Sequence, residues 1–322
     1  MSGGTAKPAA GTHWAQMGES TFVAGIWVLF WLHRLTGRCL FRACMWPVLC
    51  LYWLTRPALR QASLQYLRRL QVHARPWPHR PGWRQGMAHV GLFAETMLDK
   101  LLAMAGRYPL ERVRSSGADA VYQRALAGQG GVLVTAHLGC LELCRALAET
   151  RRGFRLNVLV HTRHAQAFNR ILQRLHPDAG VQLIEVSDIS LATAMLLADK
   201  VAAGEFIAIA GDRVPVLRSK TVRCDFLGQD ADFPVGPYVL ASLLKCPLYF
   251  LGCIHEGRGY AIEFELLAEQ VLLPRGRREQ VMATYAARYV QSLTRLLLRS
   301  PYDWFNFYPF WEPAHAPDPG PL

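Results

Sequence analysis

A histidine, a glutamate and two cysteines fall within eight residues in the stretch "VLVTAHLGCLELCRAL", residues 132–147, directly after a β-branched apolar run. Three readings of this stretch compete. In the first, a neutral imidazole takes a proton from a hydroxyl as that hydroxyl attacks an activated carbonyl, and a carboxylate orients the ring and stabilises the imidazolium that forms. His137 is then the general base, Glu142 its orienter in the first turn of the following helix, and Gly139 the residue that lets the chain turn sharply between them. In the second, His137, Cys140 and Cys144 are metal ligands. No fourth ligand lies at a customary spacing, and Cys144 is equally a core residue one helical turn after Cys140. In the third, His137 is merely a histidine satisfied at a strand end, which the H-x-x-x-x-[DE] spacing alone does not exclude. No G-x-S-x-G elbow occurs in the chain, and this points away from a serine hydrolase and toward direct transfer.

The elements around this stretch must place it where ligands bind. The run "VLVTA" reads as a strand and "LELCRALAE" as a helix, so His137 sits at the carboxyl end of a strand facing a helix N-terminus. Short apolar runs at residues 156–162, 181–186 and 205–210 are separated by helical segments, one of them near 191–203. That alternation predicts βαβ units and a mixed α/β fold, with a largely parallel central sheet flanked by helices. The later strands "TVRCDF", "LYFLGCI" and "YAIEFEL" are expected to pair antiparallel at one side, before a long helix over 278–299.

Ahead of this fold the sequence is different in kind. Residues 1–84 carry eleven Lys and Arg against a single acid, Glu19, whereas the rest of the chain is close to balanced. Fourteen residues without formal charge lie between Glu19 and Arg34, and thirteen between Arg42 and Arg56. Neither run reaches the roughly 20 residues of a spanning helix. Trp27, Trp31, Trp46, Tyr52 and Trp53 suit an interfacial depth, and Arg34, Arg38 and Arg42 are placed to meet anionic lipid. The competing reading is a hydrophobic hairpin packed on the protein's own core. An amphipathic basic helix is expected after Pro57, and "RPWPHRPGW" with its three prolines should end it. A second helix is expected from Met87 to a stop at Gly106. The expected organisation is thus a membrane-associating segment over 1–55, a basic helix and Pro-rich linker over 56–84, and a catalytic domain over 85–322.

No early apolar region or cleavage site resembling a secretory signal is present, so the bulk of the chain is expected on the cytoplasmic side. The eight cysteines include no C-x-x-C pair and read as reduced, mostly buried thiols. The basic arm would suit lipid or an acidic carrier protein, with Arg60, Arg68, Arg69 and Arg75 steering the latter. Nucleic acid is not expected as a partner, because no recognisable binding motif accompanies the arginines. The aromatic tail "PYDWFNFYPFW" has three candidate places: an acyl channel, the bilayer surface and the core.

"AHLGCLELCRAL" resembles the H-x4-[DE] motif of the lysophospholipid acyltransferase superfamily, and more closely its bacterial lipid A late acyltransferase branch. "VLVHTRHAQAFN" looks like that branch's arginine after the next strand, "AIAGDRVPV" like its strand ending in an aspartate, and "FLGQDADFPVGPYVLASLLKCPLYF" like its Gly-Pro block. Arg213 stands where a glutamine is common in that branch. The resemblance implies a thioester donor, acyl carrier protein or acyl-CoA, as co-substrate with no resident cofactor or metal. It implies a lipid or glycolipid hydroxyl as acceptor, and a place on the cytoplasmic face of a bacterial inner membrane. By the same resemblance His137 and Glu142 are catalytic; Arg163, Asp212 and Arg213 hold or position phosphate or the developing oxyanion, and Gly139 and Asn169 complete the substrate-lining set. "THWAQMGESTF" and "DWFNFYPFW" are similar to a subgroup of which some members accompany aryl polyene pathways. The alternatives are an N-acyltransferase, an acyltransferase for an aryl polyene lipid, and a non-catalytic, basic membrane-tethered binding protein.

Overall fold

The computed structural model describes residues 20–150, 154–160, 181–185, 191–214 and 220–312. Helix α1 (Ser20–Thr55) contains Pro47 and is broken at Gly37, whose φ of 73° and ψ of 179° no helix accommodates. Helix α2 (Pro57–Ala74) begins on a proline, which has no N–H to leave unpaired at a helix start. Helix α3 (Trp83–Met104) follows the Pro-rich stretch. Then come β1 (Val113–Ser116), α4 (Ala118–Leu126), β2 (Gly131–Thr135), α5 (Glu142–Glu149), β3 (Leu156–Val160), β4 (Val181–Glu185), α6 (Leu191–Ala202) and β5 (Phe206–Ala210). The chain continues through β6 (Thr221–Asp225), β7 (Asp230–Pro234), α7 (Gly236–Leu244), β8 (Leu248–Glu256), β9 (Gly259–Ala268) and α8 (Arg278–Arg299).

The central sheet has the order β1-β9-β8-β2-β5-β3-β4. Strands β8, β2, β5, β3 and β4 are mutually parallel, while β9 and its parallel partner β1 run against them at one edge. The expected mixed, largely parallel sheet is therefore present. One placement differs: "TVRCD" leaves the sheet and pairs with β7 as a separate antiparallel ribbon, because its alternating burial serves only one apolar neighbour. Strand β8, expected at the antiparallel side, lies inside the sheet beside β2 and is antiparallel only to β9.

Both faces of the sheet are covered, which is why β2 reads as an unbroken apolar run. Val132 and Val134 point into a cluster with Tyr66, Leu67 and Leu70 of α2 and Leu293 and Leu296 of α8. Leu133 points the other way, toward Leu98 and Leu102 of α3 and Leu143 of α5. The basic helix α2 is thus half core and half charged surface.

Two arginines tie the arm to the fold. Arg38 pairs with Asp99 of α3, a carboxylate only 1% exposed, and Arg42 makes a two-pronged contact to Glu95 at 2.9 and 2.6 Å. Arg38 and Arg42 are thus engaged by protein acids, as a buried carboxylate such as Asp99 needs a counter-charge, while the side chains of Arg34, Trp27 and Trp31 lie outside those described. Past Gly37, the remaining face of α1 is apolar and open: Trp46, Leu51 and Leu54 are 52%, 60% and 71% exposed. Among the described residues, no helix is long and apolar enough to cross a membrane. Five cysteines are buried as free thiols, but Cys39 and Cys44 are exposed on α1.

Candidate active site

Strands β2 and β5 are parallel with Thr135 level with Ala210. Two residues beyond each strand end, His137 and Asp212 must therefore stand side by side. The Asp212 carboxylate accepts both the backbone N–H of His137 and its Nδ1–H, each at 2.8 Å. Asp212 also accepts from Trp304 Nε1 at 3.0 Å and Asn306 Nδ2 at 2.9 Å, and it is fully buried. Burial alone would push its acidity down, but His137, and after it Arg213, more than offset this and hold the carboxyl well below the usual range. An ionised carboxylate only accepts, so Nδ1 carries the proton and Nε2 carries the lone pair.

The orienting place expected for Glu142 is thus held by Asp212. No hydrogen bond joins Glu142 to His137; the carboxylate pairs with Lys100 of α3 at 3.3 Å and accepts the Cys140 thiol at 3.8 Å. The reason is geometric: strand register aims the imidazole along the sheet toward β5, while α5 aims Glu142 toward α3. Burial, and after it Arg213 and Lys100, lower the pKa of His137 against the opposing pull of Asp212. The ring is neutral near pH 7, and 37% of the side chain is exposed.

Gly139 has a steric job in the fold. Its φ is +53°, and a Cβ there would sit 2.1 Å from the carbonyl oxygen of Cys253 on β8. Its N–H is already donated to the Asp303 carbonyl at 3.0 Å. The glycine lets the chain leave β2 against the backbone of β8. Arg213 donates to Asn306 Oδ1 at 2.8 Å and to the Phe305 carbonyl at 3.0 Å, so it braces the C-terminal segment beside Asp212. Arg163 and Asn169 lie outside the described residues.

That C-terminal segment is the part of the site that sequence reasoning missed. Phe305 donates its N–H to the His137 carbonyl at 2.9 Å, and Leu138 bridges to Trp304. Its aromatics take the core place among the three weighed: Trp304, Phe305, Phe310 and Trp311 are all under 9% exposed. Asp303 clasps a second histidine as Asp212 clasps the first, accepting the His255 N–H and Nδ1–H at 2.6 Å each. The two couples end adjacent strands, β8 and β2, yet they differ in exposure. Nε2 of His255 is buried without a hydrogen-bond partner, whereas the His137 ring is more than a third exposed.

His89 of α3 fastens the segment from beneath. Its Nε2 donates to the Trp304 carbonyl at 2.9 Å, and its Nδ1 shares a 2.9 Å hydrogen bond with the Ser63 hydroxyl, which donates to it when the ring is neutral. Burial, opposed by the Trp304 carbonyl, depresses its pKa to about 4. A histidine whose folded pKa lies below the unfolded value near 6.5 contributes stability above that value and loses it as pH falls toward 4. Folding stability should drop by about 2 kcal/mol between pH 7 and pH 5 through this group alone. Urea unfolding at the two pH values would show it, with His89→Gln flattening the difference; an unchanged pH dependence in the variant would contradict the assignment.

The family model for bacterial lipid A biosynthesis acyltransferases matches residues 86–312, a span that starts within α3 and ends after Trp311. No curated protein sequence matches the chain.

Proposed function

Because the chain belongs to the bacterial lipid A biosynthesis acyltransferase family, and is accordingly an acyltransferase acting on lipid, we propose that it moves a fatty acyl group from an acyl thioester to a lipid or glycolipid hydroxyl, with His137 as general base and Asp212 as its orienter. The donor is an acyl carrier protein or acyl-CoA. The observation that carries the reading is the His137–Asp212 clasp, which fixes the basic nitrogen on the open side of the ring.

In this mechanism the acceptor hydroxyl gives its proton to His137 Nε2 as its oxygen bonds to the thioester carbonyl carbon. The new imidazolium is stabilised by the Asp212 charge behind it. The tetrahedral adduct then expels the thiolate, which takes the proton back from Nε2 and leaves as a thiol. Glu142 holds Lys100 near the ring, a cation where negative charge builds on the adduct. The exposed apolar face of α1 rests on the membrane and brings the site to a lipid acceptor. The cytoplasmic face of a bacterial inner membrane supplies both substrates.

The test is transfer of a radiolabelled acyl group from acyl carrier protein, and separately from coenzyme A, into a bacterial lipid extract. Wild type should yield a labelled lipid and His137→Ala none above background, the donor that works being identified in the same experiment. Equal product from both proteins would remove His137 from the chemistry.

A further inference from the structure

Helix α2 presents to solvent a groove that the His137 site does not use. Arg60, Gln61, Gln65, Arg68 and Arg69 lie on one stripe of the helix, opposite the stripe that Tyr66, Leu67 and Leu70 bury. The turn after β6, at Leu227 and Gly228, forms the facing lip, and the space enclosed is about 430 Å³.

Among the described residues, Arg60 reaches the Trp53 carbonyl, at 3.1 Å, and Arg69 lies over the Trp311 ring at 4.5 Å with its Nε buried and unbonded. Among the described residues, none of the three forms an ion pair with a carboxylate. Other arginines of the chain behave otherwise: Arg42, Arg124 and Arg295 each sit on a glutamate. Three cations on one stripe repel one another, and guanidinium forks beside two amide side chains offer the donors that phosphate oxygens accept.

The surroundings favour a lipid over a soluble anion. Val72, at the end of the groove, is 81% exposed, and the Arg60 contact to Trp53 sets the groove against the end of α1, where Leu51 and Leu54 stand open. Charge flanked by open apolar surface matches a head group with acyl chains beside it. From the ring under Arg69, packed aromatics lead back to the reacting centre. Trp311 stacks on Phe226 at 5.6 Å, both rings touch Trp304, and Trp304 donates to Asp212.

We propose that the α2 groove binds the phosphate group of a phosphorylated lipid, with Arg60, Arg68 and Arg69 as its ligands. The proposal deepens the acyltransferase reading by giving the lipid a second point of attachment, and its binding arm does not depend on turnover.

The full chain is mixed with phosphatidylcholine vesicles, with and without about one-fifth phosphatidic acid, and bound protein is separated by flotation. Wild type should prefer the acidic vesicles. Replacing Arg60, Arg68 and Arg69 together by Gln should lower that preference roughly tenfold or more. A control removing the same charge elsewhere, Arg275, Arg277 and Arg278 to Gln, should keep it. Arg68→Gln alone, at an exposed position, should show a partial loss and guards against misfolding of the triple variant. Equal loss in groove and control variants, or no loss in either, overturns the site. So does a groove variant that keeps vesicle binding and raises KM only for an acyl carrier protein donor, because the occupant is then an acidic protein. Kinetics in phospholipid-free detergent separate the two lipid sources. A raised acceptor KM at unchanged kcat assigns the groove to the acceptor's own phosphate, and an unchanged KM with vesicle binding lost assigns it to a bilayer phospholipid.

Discussion

Asp212→Asn lowers acyl transfer by roughly 10²–10⁴-fold, the span of a general-base contribution. The carboxylate accepts four hydrogen bonds, from the His137 N–H, His137 Nδ1, Trp304 and Asn306. An amide offers acceptor lone pairs on one atom only, so its NH2 must face a donor. The relief available at lowest cost is a proton shift on His137, from Nδ1 to Nε2, which removes the lone pair that the acceptor hydroxyl needs. The same change has a signature in pH. The Asp212 charge raises the affinity of His137 for a proton, against burial that lowers it. Without that charge the pKa falls further, and the acidic limb of kcat moves to lower pH in whatever activity is left. Glu142→Gln is the informative partner: it releases Lys100 and changes the rate, but Lys100 is the smallest of the influences on His137, so the acidic limb moves far less than with Asp212→Asn. The measurement is kcat against pH for the three proteins. A limb that shifts with Glu142→Gln and stays put with Asp212→Asn would return the orienting role to the glutamate.

The contrast between these two acids shows what the sequence could reveal. The strand ahead of His137 was legible from "VLVTA" because a strand buried on both faces reads as an apolar run. The helices over 57–74 and 278–299 were legible from their spacing of apolar residues. A glutamate five residues from a histidine is visible in one line of sequence, and an aspartate 75 residues away is not. What joins His137 to Asp212 is the parallel register of β2 and β5, set by Thr135 lying level with Ala210. The sequence holds that information only as two apolar runs of equal length, each followed after one small residue by a polar one. Asp212 entered the reading through resemblance alone.

The C-terminal segment was less legible still. Its seven aromatics fit a channel, a bilayer or a core equally well by composition, and only the fold returns them to the carboxyl end of the sheet. His255 and Asp303 carry no spacing signal, being 48 residues apart, yet they repeat the His137–Asp212 clasp on the neighbouring strand. A local signal did exist for Gly139, since a glycine between a strand and a helix marks a tight turn. The steric demand from Cys253 that fixes it comes from β8, far along the chain.

Trp304→Ala destabilises the protein by about 3–5 kcal/mol, the range for emptying a large aromatic site in a packed core. Trp304 is fully buried among Tyr66, Phe226, Phe310 and Trp311, at ring separations of 4.8 to 5.9 Å. It joins α2, the β6–β7 ribbon and the C-terminal segment at one point, so no single neighbour can move to fill the space. The indole N–H adds a second consequence, because its loss leaves the buried Asp212 with one donor fewer. Trp304→Phe separates the two effects. It keeps most of the ring packing, costs about 1–3 kcal/mol through the missing donor, and loosens the carboxylate that holds His137. Urea unfolding together with acyl transfer at a temperature where all three proteins are folded reads both quantities. Trp304→Phe should lose more activity than its stability loss accounts for, because its defect lies at Asp212. Stability within about 1 kcal/mol of wild type for Trp304→Ala would mean that the segment is not packed against the site, and the clasp around His137 would then lack the support that keeps its base on the open side.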